Sequence, residues 1–234
     1  MSGTRAGSPA GGALADRAWS LDTTPPADYE PLQAIDYAAA SLTEIADHYK
    51  TDKGSIKHRY TAVYERYLAP LRGRPGVRLL EIGVACGASL KMWSRYFRDA
   101  RVVGVDVRPE CASLCRNYPG ISIRIGDARA ARQPETFDVI VDDGSHISAD
   151  IVDAFRANWP SLVAGGLYFI EDLKCTHNPL YPRQTAIRTA PERFARRHFM
   201  EFIDLELANM DWGRSEIESL HFHRELAVLS RAGR

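Results

Sequence analysis

Apolar and polar positions along the chain follow two alternating periods. Short β-branched apolar runs, bounded by polar residues or Gly, recur at residues 78–82, 101–106, 122–126, 137–142 and 166–170, and each reads as a strand. Between them, apolar residues return at helical spacing over 89–97, 109–117 and 148–162, which predicts helices. Upstream, Leu32, Ile35, Ala39, Leu42, Ile45 and Tyr49 share one helical face that ends in the turn chemistry of Thr51-Asp52-Lys53-Gly54-Ser55. Val63, Tyr64, Tyr67, Leu68 and Leu71 place a second helix over 59–71. Downstream, a polar stretch runs through Ala190 to a helix over 191–210. A closing pair, 217–222 and 225–230, reads as a hairpin joined at His223-Arg224.

Strands alternating with helices predict an α/β fold, a doubly wound and mostly parallel sheet with right-handed crossovers. An N-terminal helical cap is expected over 31–75, a sheet core over 76–234, and a C-terminal antiparallel hairpin at its edge. Residues 1–30 are rich in Gly, Ala, Pro and Asp without a sustained period, and read as a flexible arm. The arm and the cap add apolar helical surface that a minimal fold does not need, which predicts a homo-oligomer.

Composition narrows the partners. At 234 residues the chain has room for one α/β domain with a full core, whereas two would be cramped. Thirty basic residues against thirty acidic ones give a formal net charge of zero, so nothing global attracts nucleic acid or an anionic membrane. No apolar run approaches the roughly 20 residues that cross a bilayer, and the stretch from Met1 to Gly12 lacks the apolar centre of a secretory signal. Cys86, Cys111, Cys115 and Cys175 lack paired metal-ligand spacing and read as reduced thiols. A cytoplasmic location is expected.

In a parallel sheet the ligand crevice lies beyond the carboxyl ends of the strands, and that is where the chemistry collects. Leu79-Leu80-Glu81-Ile82-Gly83 runs into Val84-Ala85-Cys86-Gly87-Ala88-Ser89, a strand, a small-residue turn and a helix start suited to a nucleotide-like cofactor. Ala85 stands where the dinucleotide fingerprint has its middle glycine, and Glu81 precedes the first. A carboxylate there repels a pyrophosphate but attracts the sulfonium or α-amino group of S-adenosylmethionine. Asp106, ending the next strand, can accept from both ribose hydroxyls, and Asp127 after Gly126 can accept from an adenine amine.

Asp142-Asp143-Gly144-Ser145-His146 and Glu171-Asp172 follow two further strands. Asp143, Glu171 and Asp172 can meet at one point, a hard-oxygen set suited to Mg²⁺ or a similar divalent cation. Asp142 is either a contact for the cofactor amine or the metal ligand in place of Asp143. A cation that chelates two hydroxyls of an acceptor lowers their pKa and fixes the line of attack. His146 is the candidate base. His177 is a candidate second base or substrate contact.

These residues resemble the class I S-adenosylmethionine-dependent methyltransferases, from about Leu79 to the terminal hairpin. The resemblance is closer still to metal-dependent sugar O-methyltransferases of macrolide and polyketide glycoside biosynthesis, the mycinamicin-type and rhamnosyl enzymes. It rests on Tyr49-Lys50-Thr51-Asp52-Lys53-Gly54-Ser55, Leu79-Leu80-Glu81-Ile82-Gly83-Val84, Ser89-Leu90-Lys91-Met92-Trp93, Asp142-Asp143-Gly144-Ser145-His146 and Gly165-Gly166-Leu167-Tyr168-Phe169-Ile170-Glu171-Asp172-Leu173. It implies a Rossmann-like fold, S-adenosylmethionine as methyl donor, Mg²⁺, and a glycoside or saccharide acceptor. It adds Thr51, Lys53, Tyr60, Ser89 and Arg108 to the cofactor set of Glu81, Gly83, Asp106, Asp127 and Asp142. Catechol O-methyltransferases look similar but carry a lysine at the offset of His146. A catechol or phenolic acceptor, and a non-catalytic binding protein on the same fold, are the alternative readings. Two departures stand out: Ala128 where relatives tend to have Gln, and a 174–190 loop unlike the usual Ser/Tyr-rich pattern.

Overall fold

The computed structural model describes residues 35–130, 132–177 and 196–233; the arm over 1–30 and most of the 174–190 loop lie outside them. Among the described residues one sheet holds seven strands: β1 (Arg78–Ile82), β2 (Arg101–Asp106), β3 (Ile121–Ile125), β4 (Phe137–Asp142), β5 (Leu162–Ile170), β6 (Ile217–His223) and β7 (Leu226–Arg231). Their order is β3-β2-β1-β4-β5-β7-β6. The first five run parallel, and β7 enters antiparallel to both β5 and β6. This is the mostly parallel, doubly wound sheet with a reversed terminal hairpin that the sequence predicts. No described helix is long and apolar enough to cross a membrane.

Because side chains alternate across a strand, the sheet has two apolar faces. Leu79, Val139, Val141, Phe169 and Val228 pack with helices α1 (Leu42–His48), α2 (Thr61–Arg72) and α3 (Ala88–Tyr96). Leu80, Ile140, Tyr168, Ile170 and Leu229 pack with α4 (Ser148–Asn158) and α5 (Arg197–Asp211). Burial on both faces explains why the central strands read as nearly continuous apolar runs.

Four expected boundaries move, each for a local reason. The first helix starts at Leu42 because Ser41 and Glu44 form a capping box, each side chain satisfying the other's backbone N–H. The helix expected over 109–117 is a 3₁₀ turn, Pro109–Ser113. Leu114 is extended there and Cys115 adopts a φ of 61°, which turns the chain back beneath Gly87, where the Cys115 thiol lies 3.6 Å from the Gly87 carbonyl. The helix expected over 148–162 ends at Asn158, since Pro160 falls in a 3₁₀ turn, Trp159–Ser161. Strand β5 therefore begins at Leu162, and its register with β4 shifts between Phe137 and Val139.

Candidate active site at the carboxyl ends of the strands

The turn after β1 is built for close approach. Gly83 has a φ of 92°, and a Cβ on it would run into the carbonyl of Asp143, so only glycine fits. Ala85 (φ 48°) and Gly87 (φ 76°) complete a left-handed turn that leaves Ala85 and Cys86 exposed at the start of α3. Beneath it Glu81 is fully buried and accepts from the Ser89 hydroxyl at 2.9 Å. Burial pushes its carboxyl up to about 7, against the pull of Lys53. Oε1 of Glu81 and Oδ2 of Asp142 are buried without a hydrogen-bond partner. Lys53 lies 3.6 Å from Glu81 Oε1 without a hydrogen bond, so the two acceptors behind the glycine turn fit a cationic ligand, an amino acid amine that donates and a sulfonium that attracts by charge.

The acids at the nucleoside end are already engaged. Asp106 accepts from the backbone of Val84 and from the backbone and guanidinium of Arg108 at 2.9–3.1 Å. Burial alone would raise its pKa, but these donors hold it down at about 2. Asp127 accepts from Arg129 in the same pattern, and Arg129 also reaches Asp150 at 2.5 Å.

The second half of the site gathers acids on the ends of β4 and β5. Backbone bonds from Asp143 to Ile82 and from Glu171 to Asp142, both 2.9 Å, align these ends with β1. Asp143, His146 and Asp172 each offer a ligand atom, all within 4.8 Å of one another. His146 Nε2 lies 3.7 Å from Asp143 Oδ1 and 3.5 Å from Asp172 Oδ2. His146 and Asp172 both sit in the left-handed region, at φ 57° and 53°, a strain of about 1–3 kcal/mol each that clusters at working sites. Two carboxylates at this spacing fit a divalent cation, with the imidazole beside it. Asp142 is not in the group: it accepts from the Gly144 backbone N–H at 3.3 Å.

Glu171 is held otherwise. One of its oxygens accepts from the Lys53 ammonium at 2.8 Å and the other from the Tyr64 hydroxyl. Lys53, fully buried, also pairs with Asp143 and lies 3.6 Å from Glu81. Burial alone would lower the Lys53 pKa, but Asp143, Glu171 and Glu81 raise it well above the ordinary lysine range. Burial and Asp143 push Glu171 far above the usual carboxylate range, against Lys53 and Tyr64. Asp172 receives the Tyr60 hydroxyl at 2.7 Å, with His58 Nδ1 3.6 Å away. Its pKa falls because His146, Tyr60 and His58 outweigh its burial.

The structure thus brings Asp143, Asp172 and His146 together, with Glu171 joined to them through Lys53. Glu81, Gly83, Ser89 and Asp142 gather at the turn, and Asp106 with Arg108 and Asp127 with Arg129 lie beyond β2 and β3. Lys53 and Tyr60, expected from the resemblance on the cofactor, contact the acids in this structure. Thr51 is buried, its hydroxyl 3.4 Å from the Lys53 backbone nitrogen. His177 is exposed at the end of a 3₁₀ turn, Leu173–His177. Sequence alone gives Tyr64 and Glu225 no functional role. Tyr64 reads as one more apolar position of its helix, and Glu225 as a hairpin residue, although it lies 3.6 Å from His58 and accepts from Lys174 at 2.7 Å.

Known proteins resemble the chain in sequence and in fold. Residues 80–173 match the family model described as a methyltransferase domain. The chain is 33% identical over 207 residues to the 8-demethyl-8-alpha-L-rhamnosyl tetracenomycin-C 2'-O-methyltransferase of Streptomyces olivaceus, covering 81% of this chain and 54% of that protein. It is 37% identical over 161 residues to the L-olivosyl-oleandolide 3-O-methyltransferase of Streptomyces antibioticus, covering 64% and 42%. Among solved structures it is similar to the MycE methyltransferase from the mycinamycin biosynthetic pathway in complex with Mg, SAH and mycinamycin VI. There the TM-score is 0.68 at 26% identity, over 82% of this chain and 55% of that one. The chain spans about half the length of the curated relatives it matches.

Proposed function

We propose that this chain is a class I S-adenosylmethionine-dependent methyltransferase that transfers a methyl group to a sugar hydroxyl of a glycosylated natural product or saccharide. The observation that carries the reading is the meeting of Asp143, His146 and Asp172 within 4.8 Å at the rim shared with the glycine turn. The names of two relatives, O-methyltransferases of a rhamnosyl tetracenomycin and of an olivosyl oleandolide, and the Mg and SAH in the MycE structure support it.

When bound, S-adenosylmethionine supplies the methyl group and a divalent cation such as Mg²⁺ acidifies and orients the acceptor hydroxyl. Asp143, Glu171 and Asp172 would hold the cation. Glu81 and Asp142 present acceptors to the amino acid end of the donor, Gly83 and Ser89 shape the turn it rests on, and Asp106 and Asp127 serve its nucleoside end with Arg108 nearby. Thr51, Lys53 and Tyr60 close the site from the N-terminal side. His146 would take the proton from the acceptor's alkyl hydroxyl, its imidazole held between Asp143 and Asp172. An alkyl hydroxyl needs that base, because its proton is far less acidic than a phenol's.

The test is methyl transfer from a labelled donor to a panel of glycosides and catechols, with and without chelator. Product on glycosides, lost on chelation and reduced at least about 100-fold in His146→Ala, is expected. Full transfer by metal-stripped protein, or transfer to catechols alone, would overturn the reading. A reducing, cytoplasmic setting belongs to the same proposal, supported by four free cysteines. So does a homo-oligomer, supported by exposed Leu205, Leu207, Trp212 and Phe222 on α5, just after it, and on β6; sedimentation as a monomer would count against it.

A further inference from the structure

The acceptor capacity of Asp106 is full. A carboxylate has about four lone-pair positions, and four donors occupy them here. The Val84 backbone N–H reaches Oδ2 at 2.9 Å and the Arg108 backbone N–H reaches Oδ1 at 2.9 Å. Arg108 Nε reaches Oδ1 at 3.1 Å and its Nη2 reaches Oδ2 at 3.1 Å. The two backbone donors are fixed by the turn after β1 and the end of β2. The two guanidinium donors are not.

A ribose presents two adjacent hydroxyls, and an acid in this place serves it by accepting one on each oxygen. The guanidinium fork delivers that same pattern, one donor to each oxygen. We propose that Arg108 is an internal competitor for the ribose of the cofactor, lying on Asp106 until a vicinal diol displaces it, so that Arg108 sets both affinity and the demand for two hydroxyls. The proposal rests on the S-adenosylmethionine reading of the site. The side chain has somewhere to go, being 42% exposed with Asp106 as its ion-pair partner. The equivalent arginine of the neighbouring acid does not: Arg129 bonds Asp127 and also the buried Asp150, so it braces its loop from both sides. One of two similar Asp-x-Arg pairs is therefore a displaceable lid on an acceptor, and the other a fixed strut.

Displacement has a signature that a structural role lacks. Calorimetric titration of the full chain with S-adenosylhomocysteine and with its 2′-deoxy analogue reads it. In Arg108→Met, S-adenosylhomocysteine should bind about two- to fivefold tighter, the return expected from releasing a partly exposed ion pair. The 2′-deoxy analogue, which can replace only one of the two donors, should gain at least twofold less. Arg108→Lys keeps the charge without the fork and should fall between wild type and Arg108→Met, which also secures the test if the methionine variant misfolds. Weaker or unchanged binding of S-adenosylhomocysteine in both variants would overturn the proposal. So would an equal gain for both ligands, since that reports only a lost positive charge. If wild type and variants alike fail to bind either ligand, the cofactor reading falls and this proposal with it; binding by wild type with no change in the variants removes the proposal alone.

Discussion

At the scale of single residues the site depends on positions where one side chain is tolerated. Gly83 combines a φ of 92° with the Asp143 carbonyl packed where a Cβ would stand, and the obstacle is backbone, which cannot rotate away. Gly83→Ala should therefore push the strand end that carries Asp143 off the glycine turn. We expect a loss of about 1–3 kcal/mol in stability together with loss of S-adenosylhomocysteine binding, read by thermal melts and calorimetry on the same sample. A variant that melts and binds like wild type would show that the two strand ends are not coupled. Asp106 makes a second prediction, with a definite sign. Its pKa is depressed from 3.8 to about 2 by the Arg108 and Val84 donors, so its contribution to stability is complete above the unfolded value and is lost as pH falls through the folded one. Urea midpoints measured from pH 5 down to pH 2 should fall more steeply in wild type than in Asp106→Asn. Parallel curves would mean that the carboxylate gains nothing from its donors.

At the scale of elements, α2 ties the N-terminal segment to the far end of the chain. Tyr60, Tyr64 and Tyr67 recur at helical spacing and so share a face. Their hydroxyls meet Asp172 at 2.7 Å, Glu171, and the pair His221 and His223 at 2.7 and 2.9 Å. Just before the helix, Lys53 enters the same acid cluster. Removing one partner of a buried ion network leaves uncompensated charge, so Lys53→Met should cost about 3–5 kcal/mol, and Tyr64→Phe about 1–3 kcal/mol for the donor withdrawn from Glu171. Chemical denaturation measures both, and near-neutral values for both would mean that the acids are neutral in the folded chain. Here the limit of sequence reading is physical. Strands such as β1 and β4 were legible because burial on both faces writes them as apolar runs, and Asp143 and His146 were legible because they follow such a run. The partners of Lys53 lie 90 and 118 residues away, and no local pattern records which distant acid a lysine will meet. The five-residue 3₁₀ turn after β2 escaped for a related reason: its end is set by Cys115 packing under Gly87, a contact between loops, whereas its apolar spacing alone suits a longer helix.

At the scale of the whole molecule, the described sheet carries two apolar layers, and this governs how the folded unit comes apart. Leu68 on α2 and Ile203 on α5 are each almost fully buried, but in different layers. The strands between them contribute alternate residues to both layers, so neither layer can lose its packing while the sheet stays intact. Leu68→Ala and Ile203→Ala should each cost about 2–5 kcal/mol, and should each move a single transition rather than detach one layer. The layers carry their own reporters, Trp93 packed in the first and Trp159 in the second. Fluorescence of variants retaining one of these two tryptophans should follow the same urea curve as far-UV circular dichroism, in wild type and in both core variants. With the two sites in separate layers, the losses in the double variant should add to within about 0.5 kcal/mol. If Leu68→Ala shifted the Trp93 transition but left the Trp159 transition in place, the helical cap would be unfolding apart from the rest. Lys53 would then be carried off the acids of the active site before the sheet itself had opened.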